Sequence, residues 1–255
     1  QKKCNKNKNY IMATNPMHQF NVKKIGPEIN LGGVDLSFTN SSLFMLISAA
    51  AVCIFLFLGT KEKKIIPSKI QLLSEISYNF VAKMISDTAG TKAKPYFPFI
   101  FSLFMFVLLC NMVGMLPYSF TVTSHIIVTL VMALFIFLSV TVIGFLKHGF
   151  KYLSIFVPKG VPIVLLPLIT IIEIISYLSR PVSLSVRLFA NMMAGHTMLK
   201  VFGGFVISLG IVGGWLPLTF SVALTGLEIL VAFLQAYVFA ILTCIYLNDA
   251  LNLHH

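Results

Sequence analysis

The chain has 255 residues, of which 57% are hydrophobic and only 11% charged, with a formal net charge of +11. Soluble domains carry about 25% charged residues, so the composition is that of an integral membrane protein. The basic residues form no stripe with interleaved aromatics; they gather in the N-terminal tail and in loops beside apolar runs, which argues against nucleic acid and for lipid headgroups and membrane topology.

Residues 1–38 are polar, rich in Lys and Asn, and read as an arm lying at one membrane face. A chain that opens on Gln1 implies processed or missing residues upstream. No secretory signal is expected, because the first apolar run starts near Ser41 after a long polar lead. That run, 41–58, is uncharged and just long enough to cross an apolar core of about 30 Å. Between 68 and 88, Ser68 and Gln71 have capping-box spacing, and Leu73, Ile76, Phe80 and Met84 recur at helical intervals. Glu75, Asn79, Lys83 and Asp87 take other faces, so this segment reads as an amphipathic interfacial helix, with packing on another subunit as the alternative. Further spans are expected over 96–116 and 124–146.

The turn Pro117–Thr123 is uncharged, whereas the loops 60–94 and 147–159 are rich in Lys, so the positive-inside rule puts those loops in the cytoplasm or matrix. Lys2, Lys3, Lys6, Lys8, Lys23 and Lys24 in the arm run against that rule. The apolar stretch 161–214 is too long for one upright span. One long, strongly tilted helix keeps Arg180 and Arg187 off the outer face, and 217–248 returns as its antiparallel partner. The fold class expected is therefore an all-α integral membrane protein with about five membrane-embedded helices, one interfacial helix and a tilted C-terminal hairpin. Cys4, Cys53, Cys110 and Cys244 show no C-x-x-C spacing, so neither a disulfide framework nor a metal site is expected. No P-loop, H-E-x-x-H or G-x-S-x-G motif occurs, and no cofactor is implied.

The chemistry concentrates in Ser179–Lys200, SRPVSLSVRLFANMMAGHTMLK. A charge at the bilayer centre costs roughly 2.5–3.5 kcal/mol or more, so a segment keeping several lines a polar path or pairs them. Arg180 and Lys200 could simply extend to the interface; Arg187, deeper and followed by Asn191 one turn on, is the stronger functional candidate. In an antiparallel hairpin, depth pairs His196 with Glu228 on the outer side and Arg187 with Gln235 in the middle, and leaves Glu173 and Asp249 on the inner side. Glu173, Arg180 and Arg187 recur every seven residues along one stripe, while His196 sits about half a turn round from Arg187 and about 13 Å along. The pattern describes two laterally offset polar pockets, one open to each side, divided by an arginine.

SLSVRLFANMMAGH, with Glu173 upstream and GLEILVAFLQAYVFAILTCIYLNDA downstream, resembles subunit a of the F-type rotary ATP synthases; NMVGMLPYSFTVTSH and FVPKGVPIVLLPL are similar to that family too. The likeness runs in order from about Thr39 to His254, departing at Ser185-Val186, where the family more often has Gly-Leu. It implies that Arg187 is the essential stator arginine facing the rotor-ring carboxylate. It further implies that His196 and Glu228 line the outer half-channel, Glu173 and Asp249 the inner one, and that Asn191, Gln235 and Arg180 are polar neighbours. The implied partners are a ring of small proteolipid subunits, the peripheral stalk, other membrane subunits and the lipid bilayer, with ATP chemistry on other chains. His at 196 and Glu at 228 resemble mitochondrial and related alphaproteobacterial members, so the mitochondrial inner membrane is expected, with a bacterial plasma membrane as the alternative. Two rival readings are a stand-alone proton-coupled transporter, for which no inverted repeat is visible, and an intramembrane metal enzyme using His196, Glu228 and His125.

Overall fold

The computed structural model describes residues 21–22, 24–25, 30–31, 34–35, 37–61, 66–116, 119–156 and 165–251. Most of the expected arm, with Cys4, lies outside the described residues, as do Pro117 and the stretch 161–164 where the long helix was expected to begin. In the described part of the arm, β1 (Asn30–Leu31) pairs antiparallel with β2 (Val34–Asp35). Beyond the arm, the described elements are all helices, joined by short connections.

Helix α1 (Asn40–Lys61) is uncharged until Lys61, which closes its negative C-terminal end. Helix α2 (Lys69–Ala89) starts at Ser68, whose side chain accepts from the Gln71 backbone N–H at 3.4 Å, and stops at Gly90, which takes a positive φ of 68°. Gln71's own amide donates forward to Glu75 Oε1 at 2.9 Å. Of the stripe Leu73, Ile76, Phe80 and Met84, the first two are exposed, Phe80 sets its ring against Phe104, Phe233 and Tyr237, and Met84 is buried with Gln71, Ser74, Val81 and Ile85. Where the solvent is lipid, apolar side chains gain little by turning inward and polar ones do, which suits Gln71 and Ser74 on the packed side. Gly59 of α1 lies directly against Ser74, so any side chain there would separate α1 from α2.

Helix α3 (Phe97–Gly114) follows a short 3-10 turn and buries Ile100, Phe104, Val107 and Asn111 on one face. Helix α4 (Ile126–His148) buries Thr129, Ala133, Ile136, Val140 and Gly144 at the same helical spacing, and leaves Ile127 and Phe135 facing out, 74% and 62% exposed. Helix α5 (Leu166–Gly213) is 48 residues long, with one non-helical residue at Gly210 (φ 66°). Its unbroken part, 166–209, is about 66 Å at 1.5 Å per residue, roughly twice the hydrocarbon thickness. Helix α6 (Trp215–Leu251) turns straight back after Gly214.

Helix α6 is the hub, packing against α5, α3, α4 and α2. Ala232, Ala236, Ala240 and Ala250 are all but fully buried on it. Small side chains let neighbouring backbones approach closely, which is how helices associate where no hydrophobic drive exists. Among the described residues, five helical segments are long and apolar enough to cross a membrane: Asn40–Lys61, Thr91–Gly114, Ile126–Leu153, Leu166–Gly210 and Trp215–Leu251. The chain is thus an all-α, multi-pass membrane protein.

Candidate functional site

The site is built on the α5–α6 hairpin. Pro181, Leu184, Ser185, Leu188 and Met192 form the buried stripe of α5. Ser185, where the family departure lay, is wholly buried and hydrogen-bonds Thr129 of α4 across 3.0 Å, pinning that face inward. Arg187 comes two residues later, about 200° round the helix, and so emerges on the opposite face. It is exposed and makes no hydrogen bond or ion pair among the described residues.

On one side of Arg187, His196 and Glu228 meet, Nδ1 against Oε1. Glu228 is 5% exposed. The other ring nitrogen, Nε2, lies 2.9 Å from the Gly114 carbonyl and 3.0 Å from Thr121 Oγ1. Thr121 spends its own proton on the Gly114 carbonyl at 3.1 Å, so toward the histidine it is an acceptor. Both ring nitrogens therefore face acceptors, an arrangement that an imidazolium satisfies at both ends. Gly195 leaves space for the carboxylate: a Cβ there would come within 2.8 Å of Glu228 Oε1. Asn111 Oδ1, Thr123 Oγ1 and Gln235 Nε2 are also buried without a partner among the described residues. Leaving such groups dry costs about 1–3 kcal/mol each, so this flank is suited to water.

The middle pairing differs from the expected one. Gln235, 3% exposed, accepts from Asn191 Nδ2 at 3.1 Å, and Arg187 is not its partner. Asn191 stands one turn on from Arg187, about 40° round the helix and on the same exposed side, and it, not the arginine, reaches Gln235.

On the other side of Arg187, Arg180 reaches both acidic residues expected there, with Nη2 3.9 Å from Glu173 Oε1 and Nη1 3.5 Å from Asp249 Oδ2. Its guanidinium also lies 5.6 Å and 5.1 Å from the ring centroids of Tyr177 and Tyr246. Sequence reasoning had Arg180 as a neighbour only; the seven-residue spacing from Glu173 held the clue to an ion pair. It missed Gly114, Thr121 and Gly195 altogether. Gly195 could have been found as a glycine inside an apolar helix beside the histidine, but a backbone carbonyl from another helix leaves no trace in sequence.

His125 stands apart, its ring stacked on Phe120 at 5.0 Å, and burial lowers its pKa below the ordinary histidine value. Among the described residues, no three His, Cys, Asp or Glu side chains converge as a metal-ligand set would.

The sequence model for the ATP synthase A chain matches residues 42–248. The chain is 78% identical to ATP synthase subunit a of Pelagibacter ubique (strain HTCC1062) over 244 residues, which covers 96% of this chain and 100% of the relative. It is 60% identical over 250 residues to the protein of that name from Chelativorans sp. (strain BNC1), covering 96% of this chain and all of the relative. Against the Mesorhizobium japonicum protein the identity is 57% over 246 residues, with 94% and 97% covered. A family match over 42–248, with relatives 57–78% identical over nearly the whole chain, leaves one conclusion: the chain belongs to the ATP synthase A chain family.

Proposed function

We propose that this chain is the proton-translocating stator subunit of a rotary F-type ATP synthase, offering two offset half-channels to a ring of carboxylate-bearing subunits. The observation that carries the reading is Arg187, presented outward and without a hydrogen bond or ion pair among the described residues, between the Glu173–Arg180–Asp249 cluster and the His196–Glu228 pair. A guanidinium so placed has its partner outside the chain.

In this scheme protons enter past His196 and Glu228, with Thr121 and the Gly114 carbonyl orienting the imidazole. The proton neutralises a ring carboxylate, which then faces lipid at low cost. After the ring has turned, that carboxylate approaches Arg187 from the other direction. The permanent positive charge favours its ionised form, so the proton leaves toward Glu173 and Asp249. Arg187 also separates the clusters, lying about 10 Å along the helix from Arg180 and about 13 Å from His196. Each charge crossing yields about 2.3 kcal/mol per 100 mV, which appears as rotation, with ATP made on other subunits. The ring, peripheral stalk and remaining membrane subunits are its partners. The relatives are bacterial, so we place the protein in a bacterial plasma membrane in preference to the mitochondrial inner membrane.

The test is Arg187→Gln in the assembled complex, with Arg180→Gln beside it. ATP synthesis driven by a proton gradient, normalised to assembled enzyme, falls to background in the first and only partly in the second. Equal defects would remove the distinction on which the assignment rests.

A further inference from the structure

The inner cluster is held by groups that the mechanism above does not use. Thr141 on α4 donates its hydroxyl proton to the Phe137 carbonyl at 2.7 Å. It is therefore an acceptor toward Tyr177, whose hydroxyl lies 2.7 Å away. Tyr177, having given its proton to Thr141, in turn accepts from Tyr152, hydroxyl to hydroxyl at 3.1 Å. The chain of donors thus runs one way, from Tyr152 through Tyr177 and Thr141 to a helix carbonyl, and joins three separate elements. Tyr152 comes from the 3-10 turn Gly149–Phe156, is 3% exposed, and lies flat against Gly144, where even a methyl group would collide with its ring. The ring of Phe137 packs at 4.7 Å from that of Tyr177 and fixes it from the other side.

Tyr177 is also one of the two rings flanking the Arg180 guanidinium. The ion pairs of Arg180 are long and single-point, 3.9 Å to Glu173 and 3.5 Å to Asp249. Neither carboxylate by itself fixes the cation, since an exposed single-point pair contributes little. Both carboxylates are accessible, 38% and 40% exposed, so the cation's position between them depends on the rings.

We propose that Tyr152 and Tyr177 are positioning residues of the inner half-channel: their hydroxyl chain to Thr141 sets the ring that holds Arg180 between Glu173 and Asp249. The inference rests on the reading of Glu173 and Asp249 as the inner path. Arg180 held midway keeps both carboxylates available as successive proton acceptors; released from Tyr177, it collapses onto one of them and takes that one out of use. The charged and titratable groups facing this cation are Glu173 and Tyr177 on α5, and Tyr246 and Asp249 on α6. Tyr152 lies behind Tyr177, and His148 at the end of α4 contacts the Leu251 carbonyl at 3.3 Å.

The experiment measures proton conduction through the membrane sector in vesicles, as a function of inner-side pH and, separately, outer-side pH. Tyr152→Phe and Tyr177→Phe keep the rings and remove one hydroxyl each, and each lowers conduction about three- to tenfold, the equivalent of one hydrogen bond. Both shift the inner-side pH profile and leave the outer-side profile in place. The double variant is no worse than Tyr177→Phe alone, because the Tyr152 hydroxyl acts only through that of Tyr177. Thr141→Val, which removes the acceptor without touching either ring, reproduces the effect. Tyr237→Phe, on a ring 5.7 Å from Phe80, leaves conduction unchanged. Lower assembly with unaltered pH profiles, or additive losses in the double variant, would overturn the inference and leave the tyrosines as packing. Glu173→Gln and Asp249→Asn distinguish the underlying reading: if neither alters the inner-side profile, the inner path itself is wrongly placed and the positioning role falls with it.

Discussion

Replacing Glu228 by Gln tests the outer cluster at its most constrained point. The side chain is 5% exposed, and its Oε1 faces His196 Nδ1, while Nε2 faces the Gly114 carbonyl at 2.9 Å. A Gln amide oxygen can still accept from Nδ1–H, but no negative charge then compensates a proton on the ring. If the ring goes neutral as the Nδ1–H tautomer, its bare Nε2 confronts the lone pairs of Gly114 O. Only the neutral Nε2–H tautomer, with the Gln amide turned to donate to Nδ1, satisfies both ends, and it holds the ring without the charge that a relay passes on. Breaking one partner of a buried pair costs about 3–5 kcal/mol, and at 1.4 kcal/mol per factor of ten the lower bound is about two orders of magnitude in the population of the conducting arrangement. Proton uptake from the outer side is therefore expected to fall about a hundredfold in vesicles of the membrane sector. Release to the inner side, which does not traverse this pair, falls less. The exchange variant His196→Glu/Glu228→His restores an acid–imidazole contact but sets a carboxylate against Gly114 O. Its activity exceeds that of the worse single variant and stays below wild type. Strictly additive losses with no recovery would show that the two residues act independently and would refute the shared pocket.

Two further outcomes follow from the same geometry. Gly195→Ala places a methyl within 2.8 Å of Glu228 Oε1 and slows proton entry several-fold, whereas Gly203→Ala, with nothing within 4 Å, leaves it unchanged; conduction assays on assembled complexes check both. His125 is held neutral by burial, its pKa below the ordinary value. Its contribution to stability is therefore complete above the unfolded value of about 6.5 and is lost as pH falls through the lower folded value, with stacking on Phe120 offsetting part of the loss. Thermal unfolding of the purified complex against pH shows that acid-side decline in wild type and a flatter profile in His125→Gln.

What could be read in advance followed from periodicity and from the cost of charge in lipid. A long uncharged run has only one way to satisfy its backbone in a bilayer, so the helices were legible without contacts. The antiparallel hairpin then placed His196 opposite Glu228, and Glu173 near Asp249, from chain arithmetic alone. Azimuth was harder. In a soluble helix the apolar stripe points inward, whereas on α2 it divides, with Leu73 and Ile76 exposed and Met84 buried. Lipid removes the hydrophobic drive that makes the rule work, and leaves small residues and hydrogen-bonding side chains as the markers of the inner face. On α5 that marker is Ser185, wholly buried and fastened to Thr129. It places this face of the helix against α4 and so turns Arg187, about 200° round, away from it. The outward direction of the arginine, on which the proposed mechanism depends, thus follows from the buried face that Ser185 shares with Leu184, Leu188 and Met192, and it becomes visible in sequence once that serine is taken as buried.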